Sequence, residues 1–185
     1  MKKLMFMLAA VAMAACAQAA SVYWTCTYVA KGAENYVDNG LAFFVNAATL
    51  SQSEMLALEG KGASAISSAL SGMYSYTGGS DGKYSVAKAS AVANSTLGLT
   101  DGTASQAYLV IFDTATITDS SNFYVTEVAN FAALSGTETA SIKWGDQETA
   151  SSAAGAWKAV NVPEPTSGLL MLVGLAGLAL RRRRA

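Results

Sequence analysis

Val22-Tyr23-Trp24-Thr25-Cys26-Thr27-Tyr28-Val29 alternates strictly: Val22, Trp24, Cys26 and Tyr28 share one face, with Tyr23, Thr25 and Thr27 opposite. A period of two marks a half-buried strand, because successive side chains of extended backbone point to opposite sides. Further strands are expected over 41–45, behind a turn at Asn39-Gly40, and over 84–91, 108–112, 122–131, 142–144 and 157–162. The unbroken apolar run at 108–112 reads as a buried strand. Between the second and third expected strands lies a helix signal. Ser51 caps, Glu54 answers three residues later, and Leu50 can staple to Met55. Met55, Leu58, Gly62, Ile66, Ala69, Leu70 and Met73 then form a helical stripe suited to packing on a sheet. Gly60 and Gly62 interrupt it, each costing about 1 kcal/mol against alanine, so two short helices are an alternative to one. The fold class expected is mainly β: a β-sandwich-like domain with a helical insertion, with α+β as the alternative. Proline is absent from 20–162, so nothing opposes the strand assignments.

Working outward, the N-terminus carries Lys2 and Lys3, an apolar stretch from Leu4 to Ala15, and Ala17-Gln18-Ala19. Basic start, short apolar core and small-residue exit make a secretory signal peptide over 1–19, cut after Ala19 by signal peptidase following passage through the secretion translocon. Met13-Ala14-Ala15-Cys16 offers a rival, cleavage ahead of a lipidated cysteine, with Met13 where leucine is usual. The exported domain is then 20–162, and Cys26 is its sole cysteine, which excludes an internal disulfide and reads as a buried, unreactive thiol.

This body holds six lysines, no arginine and twelve acidic residues, a net charge of about −6. Nucleic acid is excluded as a partner, since phosphate binding needs clustered Lys and Arg. The chain has no histidine. Gly78-Gly79-Ser80-Asp81-Gly82 matches a nucleophile elbow, but its serine has no imidazole to take the proton, and a glycine turn is the better reading. Ser80 to Lys83 and Ser85 to Lys88 match S-x-x-K without a K-T-G partner. Gly60-Lys61-Gly62-Ala63-Ser64-Ala65 is a degenerate dinucleotide fingerprint placed inside the helical stretch, and is rejected. Phe112-Asp113-Thr114-Ala115 resembles half of an aspartic protease site, with alanine replacing the usual glycine and no second copy. Zinc is excluded for want of ligands, and no calcium-loop string occurs. No catalytic residue, metal or cofactor is therefore expected. Trp24 reads as core, whereas Trp144 and Trp157 flank a loose loop over 145–155 and are the candidates for stacking on a glycan.

The tail reads as one device: Pro163-Glu164-Pro165, an apolar run from Ser167 to Leu180, then Arg181, Arg182, Arg183 and Arg184. The prolines hold the chain out of helix, the run can enter a bilayer as a transmembrane helix, and the arginines stay cytoplasmic. Fourteen residues reach about 21 Å, short of a hydrocarbon core of about 30 Å, which suits a transient anchor. An uncut C-terminal anchor is the plain alternative.

In order, spacing and composition, Pro163-Glu164-Pro165, Gly168-Leu169-Leu170 through Gly177-Leu178-Ala179-Leu180, and Arg181 to Arg184 resemble the PEP-CTERM sorting signal of Gram-negative bacteria. The resemblance is confined to 163–185. It implies an exosortase-type membrane protease as partner, acting near Pro163 to Pro165. It also implies an inner-membrane-anchored intermediate and delivery to the outer surface or extracellular matrix, where such proteins associate with extracellular polysaccharide and biofilm. The function expected is that of a non-catalytic, exported surface or matrix protein. A glycan-binding module of that polysaccharide and a small carboxylate-dependent hydrolase are the alternatives.

Overall fold

The computed structural model describes residues 20–31, 36–78 and 88–162. The signal peptide with Cys16 and Ala19, the motifs over 79–87, and the tail from Pro163 to Ala185 lie outside the described residues. Among the described residues, nine strands form two sheets. In the smaller, β1 (Ser21–Thr27) lies between β4 (Lys88–Ala93), antiparallel, and β8 (Thr139–Asp146), parallel. The larger is antiparallel, in the order β3 (Tyr74–Thr77), β2 (Leu41–Asn46), β5 (Ser105–Phe112), β6 (Asn122–Val125) and β9 (Lys158–Ala159). The short β7 (Ala129–Phe131) also pairs with β5.

The expected strand at 22–29 forms as β1, and Val22, Trp24 and Cys26 are fully buried. It ends two residues early. Tyr28 has φ of 56°, which turns its ring out of the shared face and leaves it exposed, while Val29 is buried. A bulky residue in that region is a steric outlier, so the neighbouring structure imposes it. Asn39, with φ of 51°, makes the expected turn before β2.

The helical stripe divides as the glycines allow. The first helix, α1 (Gln52–Leu56), has the full capping box: Glu54 N–H donates to the Ser51 hydroxyl, and Ser51 N–H donates to the Glu54 carboxylate at 2.9 Å. The Ser51 hydroxyl also donates to that carboxylate at 2.7 Å, and this bond first, then the Ser51 N–H, lowers the Glu54 pKa. Gly60 and Gly62 take φ of 75° and 90°, and the second helix, α2 (Ala63–Ala69), starts beyond them. Met55, Ile66 and Leu70 are buried with Val45, Tyr108, Val110, Phe112, Phe123 and Val160 on the outer face of the larger sheet. Its inner face packs against the smaller sheet, where Trp24 stands 5.0 Å from Phe44 between ring centroids and edge-on to Tyr74 and Tyr76. The fold is thus mainly β, a sandwich of two sheets with short helices layered outside the larger one. β5 is its centre: the last six residues of this strand are buried from both sides.

The expected continuous strand over 122–131 is broken into β6 and β7. Val110 pairs with Val125 but Ala107 with Ala129, so the chain gains one residue over its partner. This is a β-bulge. Thr126 fills the gap by accepting the Leu109 N–H on its hydroxyl at 2.9 Å and donating its own N–H to the Leu109 carbonyl. The two carbonyls freed at the bulge go to opposite layers. Thr126 accepts from the Gln52 amide at 2.7 Å on the helical side, and Glu127 accepts from the Trp144 indole at 2.9 Å on the other.

Candidate functional site

The C-terminal end of the domain is tied down. β9 pairs Lys158 with Phe123 and Ala159 with Asn122. Beyond it the Val160 N–H donates to the Ser121 carbonyl at 3.0 Å, and Val160 is fully buried. From the other side, Gly60 N–H donates to the Ala159 carbonyl at 2.9 Å and Gly62 N–H to the Val160 carbonyl at 2.8 Å. Asn161 bridges Lys61. Val162 covers Gly60, where an added Cβ would come within 3.2 Å of the valine side chain. The glycines that split the helix therefore also hold the segment leading to Pro163. Lys158 adds a pair with Glu59 at 3.4 Å, mostly in solvent and worth little.

The carboxylate singled out at the end of β5 is committed to structure. Asp113 accepts the Asn122 N–H at 2.7 Å, the Asn122 side-chain amide at 2.9 Å and the Lys31 ammonium at 2.7 Å. Burial alone would raise its pKa, but these bonds outweigh it and hold the carboxyl below its usual range. Such a group stays ionised and fastens β5 to β6. It does not share a proton across a dyad. Cys26 is likewise spent on packing: burial first, then the Asp146 charge, push its thiol up to about 12.

Of the two tryptophans expected to stack on a glycan, Trp144 lies in the core and Trp157 is half-buried. Trp144 is 3 % exposed, stands 6.3 Å from Phe44 and spends its indole N–H on the bulge, so neither ring face is open. Trp157 is half-buried, stacked at 5.8 Å on Tyr124, with its N–H on the Ala30 carbonyl at 3.0 Å. The loop between them is anchored. It contains α3 (Glu148–Ser152), and buried Ser151 and Gln147 accept from Ala30 N–H and the Tyr124 hydroxyl at 2.9 Å each.

A cleft that no sequence motif marked opens at the other end of the larger sheet. Its volume is about 510 Å³, and Asn46, Thr100, Thr103, Ser105, Gln106, Asn130 and Phe131 line it above a floor of Ala47, Ala48 and Ala104. No lining residue is charged. Gln106 and Asn130, paired across β5 and β7, join their side-chain amides at 2.6 Å. Each retains further amide donors and acceptors after that bond. Asn46 is already used, donating to Gly98 O at 2.7 Å and accepting from Ala48 N–H at 3.0 Å.

Against known families, residues 161–184 match the PEP-CTERM protein-sorting motif. No curated protein and no solved structure matches the chain. The tail is therefore an exosortase sorting signal, and the chain an exported protein processed at the membrane. Among the described residues no helix is long and apolar enough to cross a membrane, and the expected span from Ser167 to Leu180 lies outside them.

Proposed function

We propose that the domain over 20–162 is a non-catalytic structural passenger, delivered to the outer surface or extracellular matrix of a Gram-negative cell after its tail is cut near Pro163 to Pro165. The carrying observation is the sorting motif over 161–184, a complete targeting device joined directly to a small acidic body. A body without histidine, whose Asp113 is tied up by Asn122 and Lys31, supports the non-catalytic part. Mass spectrometry of the mature protein from cells tests the reading. A C-terminus near Pro163 is expected, and an intact Arg181 to Ala185 end would overturn it.

The cleft at Gln106 and Asn130 favours a second reading, in which the passenger binds a neutral glycan. Amides and hydroxyls around a cavity of about 510 Å³ suit a ligand that offers hydroxyls and no charge, and a half-buried ring, Phe131, stands at its wall. Calorimetry with neutral oligosaccharides should give saturable heat that Gln106→Ala with Asn130→Ala removes. Binding that survives this change, or that is lost in Trp157→Ala alone, refutes the assignment to the cleft.

A further inference from the structure

The sorting motif and the folded domain overlap. The motif begins at Asn161, yet Asn161 bridges Lys61 and Val162 rests on Gly60. The residue before them, Val160, has both its backbone groups paired, N–H to Ser121 and carbonyl to Gly62. A protease takes its substrate as an extended strand whose backbone pairs with the enzyme and whose alternate side chains enter pockets. For any cut near Pro163 to Pro165, the residues entering on the N-terminal side are the ones already paired inside the domain. The enzyme and the Gly60–Gly62 segment thus compete for one strand.

We propose that β9 and residues 160–162 act as a latch on the sorting signal, so that release of this strand from Gly60, Gly62 and Ser121 limits the rate of processing. The latch rests on the reading that a membrane protease cuts at the Pro-Glu-Pro motif. It also makes processing sensitive to the state of the passenger. A body not yet folded offers its tail freely, and a folded one offers it only when the last strand opens. Local opening of this kind breaks few pairings, because β9 is two residues long and sits at the sheet edge.

The test is a pulse-chase in cells that make the full chain together with its sorting protease, following loss of the tail by mass. A six-residue Gly-Ser insertion between Val162 and Pro163 supplies the protease with unpaired backbone while leaving the domain untouched. Cutting should then accelerate by roughly 5- to 30-fold, the span that one or two net hydrogen bonds' worth of docking corresponds to. In the opposite direction, Lys61→Cys with Asn161→Cys places a thiol pair across the bridge. Oxidation should slow cutting, and reduction should restore it. An insertion variant cut no faster than the parent, or a cross-linked one cut at the parental rate, overturns the latch while leaving the sorting reading intact. A parental chain that keeps its Arg181 to Ala185 end overturns both.

Discussion

On one face of β5, Leu109 and Ile111 meet a layer rich in rings, Trp24, Phe44 and Trp144 among them. On the other, Tyr108, Val110 and Phe112 meet Met55, Ile66 and Leu70 from two helices of five and seven residues. The ring-filled side is closed by β1 with β8 and β4, strands held in a sheet despite a register shift in each pairing. The helical side consists of segments far too short to be stable alone, which form because a cap and the sheet hold them. One strand is thus covered in two different ways: by rings from the facing sheet on one side, and by aliphatic and thioether side chains carried on locally stabilised turns on the other.

The sharpest way to break this contrast is Trp24→Ala. It empties the middle of the ring layer and should cost about 3 to 5 kcal/mol, read as a lowered urea midpoint. Asp113→Asn comes next, since it weakens the bonds that tie β5 to β6 at the edge of both layers. Hydrogen bonds to a charged group contribute about 1.5 to 3 kcal/mol, and the Asn122 contacts should carry most of it because Lys31 is 41 % exposed. The pH dependence has a definite sign. A carboxyl whose folded pKa is depressed stabilises above its unfolded value of about 3.9, and that stability is lost as pH falls through the folded value. The parental protein should therefore lose midpoint in acid more steeply than Asp113→Asn. Equal slopes would show that the carboxylate is not held in this way.

Trp144→Phe keeps a ring but leaves the Glu127 carbonyl with the Thr126 hydroxyl alone, and should cost about 1 kcal/mol. On the helical side, Ser51→Ala removes the cap of α1 and should cost about 1 kcal/mol. Hydrogen exchange should place that loss in 51–58 and leave β1 and β8 protected. If the ring layer loosened equally, the two faces would be one cooperative unit and the contrast would fail.

What was legible in the sequence was whatever local spacing controls. The alternation of Val22, Trp24 and Cys26, the capping box at Ser51 and Glu54, and the glycine break at 60–62 each depend on residues within a turn or two of one another. β3 is missing from the expected strands, although Tyr74 and Tyr76 alternate with Ser75 and Thr77, because the polar texture around it hides the signal. Trp144 could also have been placed, because Ile142 lies two residues before it on the same buried face. The bulge at 126–128 was not readable, for it exists only once Gln52 and Trp144 arrive from distant segments to take its carbonyls. The cleft draws on residues from four stretches between 46 and 131, so no local motif could announce it. The tail, by contrast, carries its meaning in sequence order alone.

The parallel pairing of β1 with β8 has a further consequence for a chain that is made N-terminus first. Its opening strand emerges early and must then wait for its parallel partner about 118 residues downstream, as the contact between Ser21 and Thr139 measures. Pairings so distant in the chain form slowly. The smaller sheet can close only once nearly the whole body has been synthesised, so the first strand made is among the last to be fully paired.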